Sequence, residues 1–346
     1  MANRDVIVIG ASAGGLPALL ALLAPLPPDL PASFFVTVHT APDGSSMLPE
    51  ILERTAAFRA AYARDSETIA RGCIYVAPPD HHLLVKRGRV SVTRGPRENL
   101  FRPAVDPLFR TAARAYGPRV IGIVLSGGLD DGTHGLEVIK RHGGLAIAQD
   151  PEDAIAPNMP LSAIQNVEVD YILSPSAIGE KLPMLVQQDV PDEATEVPEG
   201  VDVAEGRRDN LETGQMPGPP SPYTCPDCGG SLWELEDGTL LRFRCHVGHG
   251  FTAESLHMQQ GEELEHTLWI AFRALEEQSA LRRRMAQHAE RVGRVVSARQ
   301  LESQARVAEE RAEWMRRLLM SESRESDRKV AATGVAAAGK RGRRPT

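Results

Sequence analysis

The chain is poor in cysteine, with four in 346 residues, three of them within positions 225–245. So few cannot build a disulfide scaffold in a chain of this length, and their crowding points to a metal first. Long apolar runs are missing too: none approaches the roughly 20 residues needed to span a bilayer. The N-terminus MANRDVIVIG also lacks the layout of a signal peptide. No membrane insertion is therefore expected, and the expected compartment is the cytoplasm. A charge excess is absent once it is located. The net charge is -7, but residues 189–221 hold nine acids against two arginines, so the rest of the chain sums to zero.

Apolar residues make up 42% of the chain and charged residues 25%, ordinary usage for a soluble globular protein of one large or two modest domains. The acidic stretch, rich in proline and glycine, cannot bury enough surface to offset its ordering entropy, and residues 186–221 read as a linker. Before it, residues 6–9, 34–39, 73–77, 120–125, 144–149 and 169–173 are short, nearly continuous apolar runs. Continuous apolar strands suit a parallel sheet covered on both faces. Residues 83–93 read instead as an antiparallel hairpin turning at Arg87 and Gly88. The expected fold class for residues 1–185 is a doubly wound, mostly parallel α/β domain. A compact Cys/His module follows over 222–251, then an amphipathic helical segment over 252–320 and a basic tail over 321–346 expected to be disordered. In the helical segment Leu264, Leu268, Leu275, Met285, Val292 and Val296 recur mainly at steps of four or seven. That pattern fits a hairpin packed on itself as well as a partner-binding coiled coil.

The segment VIVIGASAGGLPALLALL is a strand, a tight turn of small residues and a helix. A dinucleotide site would need a second glycine where Ser12 stands and an acid at the end of the second strand, which closes instead on His39. Gly10-Ala11-Ser12-Ala13-Gly14 does match the nucleophile elbow G-x-S-x-G, in which small neighbours leave a serine hydroxyl exposed beside a helix N-terminus. Taken alone, the match fits a chemically silent turn equally well. A serine nucleophile also needs a base and an orienting acid. In an open parallel sheet the crevice lies at the carboxyl ends of the strands, where His39 and the loop bearing Asp130 and Asp131 also fall. The linear order Ser, His, Asp differs from that of the α/β-hydrolases.

Across residues 5–185 the segments IGASAGG, the strand ending in His39, YVAPPDHHLLV, RPAVDPLFRTAA, LSGGLDDGTHG and the AQD…NMP stretch occur in an order that resembles the catalytic domain of the chemotaxis receptor methylesterases, the CheB type. The resemblance implies Ser12 as nucleophile, His39 as general base and Asp131, rather than Asp130, as the acid that holds the imidazole. It places an oxyanion donor at the Gly128 amide, and the Ala13 amide beside the elbow serine is a second candidate. It also implies hydrolysis of glutamate γ-methyl esters on methyl-accepting chemoreceptor cytoplasmic domains or related signalling proteins, deamidation of selected glutamines, and no cofactor for catalysis. Arg102 and Asp106, with His81 or His82, are candidates to shape the substrate cleft and fit ordinary loop positions as well. Gly128 and Leu129 stand where the family has Met and Gly. The catalytic strand begins at Asp5, so a receiver domain ahead of it is not expected within this chain.

In YTCPDCGGSLWELEDGTLLRFRCHVGHGF, Cys225 and Cys228 form a knuckle, Cys245 follows after sixteen residues, and His246 and His249 lie beside it. Two thiolates on one turn and a third thiolate with an imidazole from a hairpin satisfy tetrahedral Zn²⁺. The fourth ligand is His249 or His246, with His249 preferred because His246 adjoins Cys245. The hairpin is expected to turn at Asp237 and Gly238, and the zinc to be structural. Between positions 223 and 251 only Arg242 and Arg244 stand against Asp227, Glu234, Glu236 and Asp237, which argues against nucleic acid as a partner. The ribbon and helices are expected to dock on a receptor, scaffold or regulator. The alternative reading is a catalytically inactive α/β signalling or scaffold module acting through the ribbon and helices.

Overall fold

The computed structural model describes residues 2–41, 47–191, 218–235 and 238–339, with side chains through 320. Ala2–Asn3 (β1) is a short edge pair, and Val6–Ala11 (β2) opens the main sheet. Its other strands are Ser33–Val38 (β3), Arg59–Tyr62 (β4), Cys73–Val76 (β5), Val120–Val124 (β8), Leu145–Gln149 (β9) and Tyr171–Leu173 (β10). The spatial order is β10-β9-β8-β2-β3-β5-β4, with every pairing parallel. His82–Lys86 (β6) and Arg89–Thr93 (β7) form the expected hairpin. Every residue of β2 and β8 is buried, as their continuous apolarity requires.

One face of the sheet is covered by Gly15–Leu23 (α1), Leu48–Thr55 (α2) and Pro175–Val186 (α6). The other is covered by Val105–Tyr116 (α3), Thr133–Arg141 (α4), Asn158–Asn166 (α5) and the hairpin. Leu19, Leu22 and Leu23 of α1 are fully buried, each contributing about 1.5–3 kcal/mol. From β2 the chain moves to β3 on one side, and only later returns to lay β8 on the other. The carboxyl ends of β2 and β8 therefore flank a topological switch point, where open α/β sheets hold their ligands.

The six expected strands appear within two residues of their predicted ends. Edge strand β4, RAAY, was not anticipated, because four half-exposed residues carry little periodic signal. The domain also closes later than residue 185: Asp189–Val190 (β11) pairs antiparallel with β1. The acidic linker proper, 192–217, lies outside the described residues.

Pro220–Thr224 (β12), Ser231–Leu235 (β13), Arg242–Cys245 (β14) and Gly250–Thr252 (β15) form a four-stranded antiparallel ribbon. Its expected turn at Asp237 lies outside the described residues, while Gly238 lies within them. The acidic stretch reads as a linker between the α/β domain and the Cys/His module. In the structure the described residues up to Met258 form one compact unit, in which Leu100 of the α/β domain packs against the ribbon's apolar cluster of Cys225, Leu232, Phe243, Cys245, Phe251 and Leu256.

A second unit begins at Gln259. Ala253–Arg291 (α7) and Val295–Gly339 (α8) are joined by a turn in which Gly293 takes a φ of 77°. The expected apolar repeat is not the buried seam of this hairpin. Leu264, Met285, Val292 and Val296 are exposed, and the buried residues among those described in this unit are Ser279, Ala286, Ala289, Ala298, Ala305, Ala308 and Ala312, with Leu319 as the one large side chain. Small side chains let two helix backbones approach closely, which large ones on the same face would prevent. The α8 backbone also continues through 321–339, where disorder was expected. Alanines at 331, 332 and 336–338 are among the best helix formers.

Candidate active site

Ser12 sits in the turn between β2 and α1. Its amide donates to Ser126 O at 2.9 Å and its carbonyl accepts from Gly15 N at 2.8 Å, which leaves the hydroxyl projecting. Gly14 closes the turn at φ 71°, where a Cβ would also lie 2.8 Å from Ser126 Oγ. From the neighbouring strand, His39 presents Nδ1 3.1 Å from Ser12 Oγ and Nε2 2.8 Å from Asp131 Oδ2. Its ring lies flat on Phe101, with centroids 3.6 Å apart and planes within 11°.

Asp131 comes from the loop after β8, wholly buried. Oδ2 also accepts from Val105 N at 2.7 Å, and Oδ1 accepts from Asn99 Nδ2 at 3.0 Å and Asp106 N at 3.2 Å. Burial pushes this carboxyl upward, but the hydrogen bond and charge of His39, then Val105 and Asn99, outweigh it and hold the group below the usual carboxylate range. The loop is strained: Leu129 has a φ of 60°, the left-handed region, at the position where a glycine would sit without cost.

Asp106 lies behind Asp131, fully buried. It accepts from Gly135 N at 2.7 Å and from Asn99 Nδ2 at 2.9 Å. Burial, then the Asp131 charge, pushes it up to about 7, so the two adjacent carboxyls share a single full charge below neutrality. Its suggested place in the substrate cleft is thus corrected, because the residue faces away from solvent. Asp130 is not in the Ser12–His39 chain. Buried and bonded to Thr252 Oγ1 at 2.9 Å, it is raised to about 7, chiefly by burial.

The cleft above Ser12 holds roughly 380 Å³ and is lined by Ser12, His39, Arg97, Leu100, Phe101 and Arg102. Arg102 is anchored to Asp80 Oδ1 at 2.6 Å and to Gly95 O at 2.7 Å. His82 is buried between Pro96 O and Ala104 N, and His81 bonds Pro79 O, so both serve the loop. Among the described residues, neither the Ala13 nor the Gly128 amide is taken by a backbone carbonyl. A Cβ built on Gly128 meets nothing within 4 Å, so space for an oxyanion lies open there. Residue patterns did not single out Asn99, Phe101 or Gly127. Asn99 and Phe101 had only their place beside RPAVDPLF to draw notice, while Gly127 lies within LSGGLDDG with no role of its own in the motif.

In the ribbon, Cys225, Cys228, Cys245 and His249 bring their donor atoms within 4.8 Å of one another. Cys225 Sγ and Cys245 Sγ lie 3.7 and 3.6 Å from His249 Nδ1, and Cys228 Sγ lies 3.7 Å from Cys245 Sγ. Tetrahedral Zn²⁺ with Zn–S near 2.3 Å sets neighbouring sulfurs roughly 3.7 Å apart, so the donor set fits that ion. His246 is outside the cluster, its ring 6.4 Å from that of Trp233.

Comparison with known proteins matches residues 7–182 to the CheB methylesterase family. A Leptospira interrogans protein, provisionally named protein-glutamate methylesterase/protein-glutamine glutaminase, is 40% identical over 179 residues, covering 51% of this chain and 93% of the relative. A Methanosarcina mazei protein named protein-glutamate methylesterase/protein-glutamine glutaminase 2 is 33% identical over 192 residues, 53% of this chain and 52% of the relative. The crystal structure of the Thermotoga maritima CheB methylesterase catalytic domain superposes with a TM-score of 0.50 at 35% identity, covering 53% of this chain and 98% of that one. No described helix is long and apolar enough to cross a membrane. Sequence order, sheet topology and these matches agree over the same half of the chain, and the protein belongs to the CheB methylesterase family.

Proposed function

We propose that the protein is a protein-glutamate methylesterase, hydrolysing glutamate γ-methyl esters on the cytoplasmic domains of methyl-accepting chemoreceptors or related signalling proteins, with glutamine deamidation at the same site. The observation that carries this reading is the unbroken hydrogen-bond chain Ser12–His39–Asp131 at the switch point of the sheet. His39 Nδ1 takes the Ser12 proton as Oγ attacks the ester carbonyl, while Asp131 stays ionised and stabilises the imidazolium. The Ala13 and Gly128 amides receive the oxyanion. The imidazolium returns its proton to the departing methoxide, methanol leaves, and water hydrolyses the glutamyl-serine ester by the same route. With a glutamine substrate, ammonia leaves instead. An inactive scaffold would have no need to keep these three side chains in register.

Cys225, Cys228, Cys245 and His249 would hold a Zn²⁺ whose four positions are filled by protein, so that it supplies folding free energy to the ribbon. We assign partner docking to the helical unit from Gln259 onward; its removal should leave ester hydrolysis on a free receptor fragment unchanged. The central test is methanol release from methyl-esterified receptor cytoplasmic domains by the wild type and by Ser12→Ala. Release by the wild type alone is expected. Equal release by both, or none by either across several receptors, overturns the reading.

A further inference from the structure

Residues 97–101 touch the triad twice. Asn99 Nδ2 donates to Asp131 Oδ1 at 3.0 Å and to Asp106 Oδ2 at 2.9 Å, and Phe101 lies flat on the His39 ring. Yet this segment is strained, with Asn99 at φ 49° and Leu100 at φ 76°. Consecutive non-glycine residues in the left-handed region persist only where their surroundings hold them. The ribbon supplies that hold. Asn99 N donates to Gly250 O at 2.9 Å, Gly250 N donates to Arg97 O at 3.1 Å, and Thr252 N donates to Asn99 Oδ1 at 3.1 Å. Leu100 packs into the ribbon's apolar cluster. Buried Glu98 is paired with Arg110 of α3 at 2.9 Å and lies 3.7 Å from Arg244 of β14. Gly250 directly follows His249 of the metal cluster.

We propose that Asn99 is a positioning residue for Asp131, and that the metal-loaded ribbon, through Gly250 and Thr252, holds Asn99 and Phe101 in the geometry the triad needs. An asparagine amide has one acceptor end and one donor end. The Thr252 N–H, shared with Ser255 Oγ, binds the acceptor end, so both protons of the other end face the Asp131 carboxylate and the Asp106 carboxyl. Released from the ribbon, the amide is free to turn its oxygen toward Asp131 and repel it. The metal-loaded ribbon, though remote from the reacting atoms, would thereby set the turnover rate. The ribbon becomes part of the catalytic apparatus, and loss of its metal becomes an off switch.

This inference rests on the triad reading above, and its test separates the two. In the full-length protein, kcat, KM and the pH profile of ester hydrolysis are measured for the wild type and Asn99→Ala. The downfield proton resonance of the His39 N–H shared with Asp131 is recorded before and after zinc withdrawal with 1,10-phenanthroline. Asn99→Ala should lower kcat by about tenfold to a hundredfold with KM nearly unchanged. It should also move the acid limb of the profile to higher pH, because Asp131 with fewer donors strengthens the imidazolium. Zinc withdrawal from the wild type should lower kcat and remove the resonance, both returning on addition of ZnCl₂. An Asn99→Ala kcat within twofold of wild type, or zinc release that leaves the resonance intact, would overturn the proposal. A wild type whose resonance follows zinc but which releases no methanol would instead refute the esterase reading and leave this one standing.

Discussion

His39 Nε2 lies 2.8 Å from Asp131 Oδ2, on the ring edge turned away from the Ser12 hydroxyl. That contact fixes which nitrogen carries the resting proton: the carboxylate accepts from Nε2, leaving Nδ1 bare to take the serine proton. Asp131→Asn reverses the preference, because the amide offers its own N–H to Nε2 and drives the proton to Nδ1. The variant should keep KM while kcat falls about 10³–10⁴-fold. Steady-state kinetics on an esterified receptor fragment decide it, and a change confined to KM would speak against the role.

Two adjacent glycines in the same loop should behave oppositely. A Cβ on Gly127 would overlap Met159 Sδ and lie 2.8 Å from Ser12 Cβ, whereas one on Gly128 meets nothing within 4 Å. Gly127→Ala is therefore expected to cost about 1–3 kcal/mol and to displace the nucleophile. Gly128→Ala should leave stability nearly unchanged. Paired thermal melts and kcat values test the contrast; equal melting temperatures for the two variants would refute it.

Asp106, raised to about 7 by burial and the Asp131 charge, predicts a definite sign in the pH dependence of stability. A carboxyl whose folded value exceeds its unfolded value binds an extra proton on folding. Its contribution is complete below about pH 4 and is lost as pH rises toward 7, by roughly 4 kcal/mol as an upper bound. Asp131, held low in the folded state, is ionised in both states above about pH 5 and offsets the slope only near pH 4, whereas Asp130, also raised to about 7, acts in the same direction as Asp106. His82 and His134, pushed down chiefly by burial, act in the opposite direction, so the slope must be read as a difference. Relative to wild type, Asp106→Asn should gain stability from pH 4 to 7 in urea titrations. Parallel curves for the two proteins would show that Asp106 titrates normally.

Much of the catalytic half was legible because its signals are local. Continuous apolar runs flagged strands such as Val120–Val124, and small residues around Ser12 flagged a sharp turn. Strand-end geometry then brought His39 and the Asp130–Asp131 loop to the same edge. The cysteine spacing likewise outlined the Cys225, Cys228, Cys245 and His249 cluster. What stayed hidden depends on contacts between distant segments. Asn99 has no motif of its own, and its partners Asp131 and Thr252 lie 32 and 153 residues away. Nothing in the acidic stretch indicates that the ribbon beyond it returns to the α/β domain. The seam of the helical segment stayed hidden for a different reason: alanine is only weakly apolar, so the large side chains on other faces dominate the pattern.

That seam supplies the last prediction. Ala305 is fully buried, and its carbonyl accepts from Ser279 Oγ of the facing helix at 3.0 Å, so the two backbones approach closely there. Arg283 crosses the same seam to Glu309 and Glu302, outside the alanine line. A leucine at 305 has no room without forcing the helices apart. Ala305→Leu should destabilise the hairpin by about 1–3 kcal/mol. Val296 is 82% exposed although it belongs to the apolar repeat, and Val296→Glu should stay within about 0.5 kcal/mol of wild type. Thermal melts followed by helical circular dichroism on both variants distinguish the alternatives. If the large apolar repeat were the true seam, Val296→Glu would be the damaging change and Ala305→Leu the tolerated one.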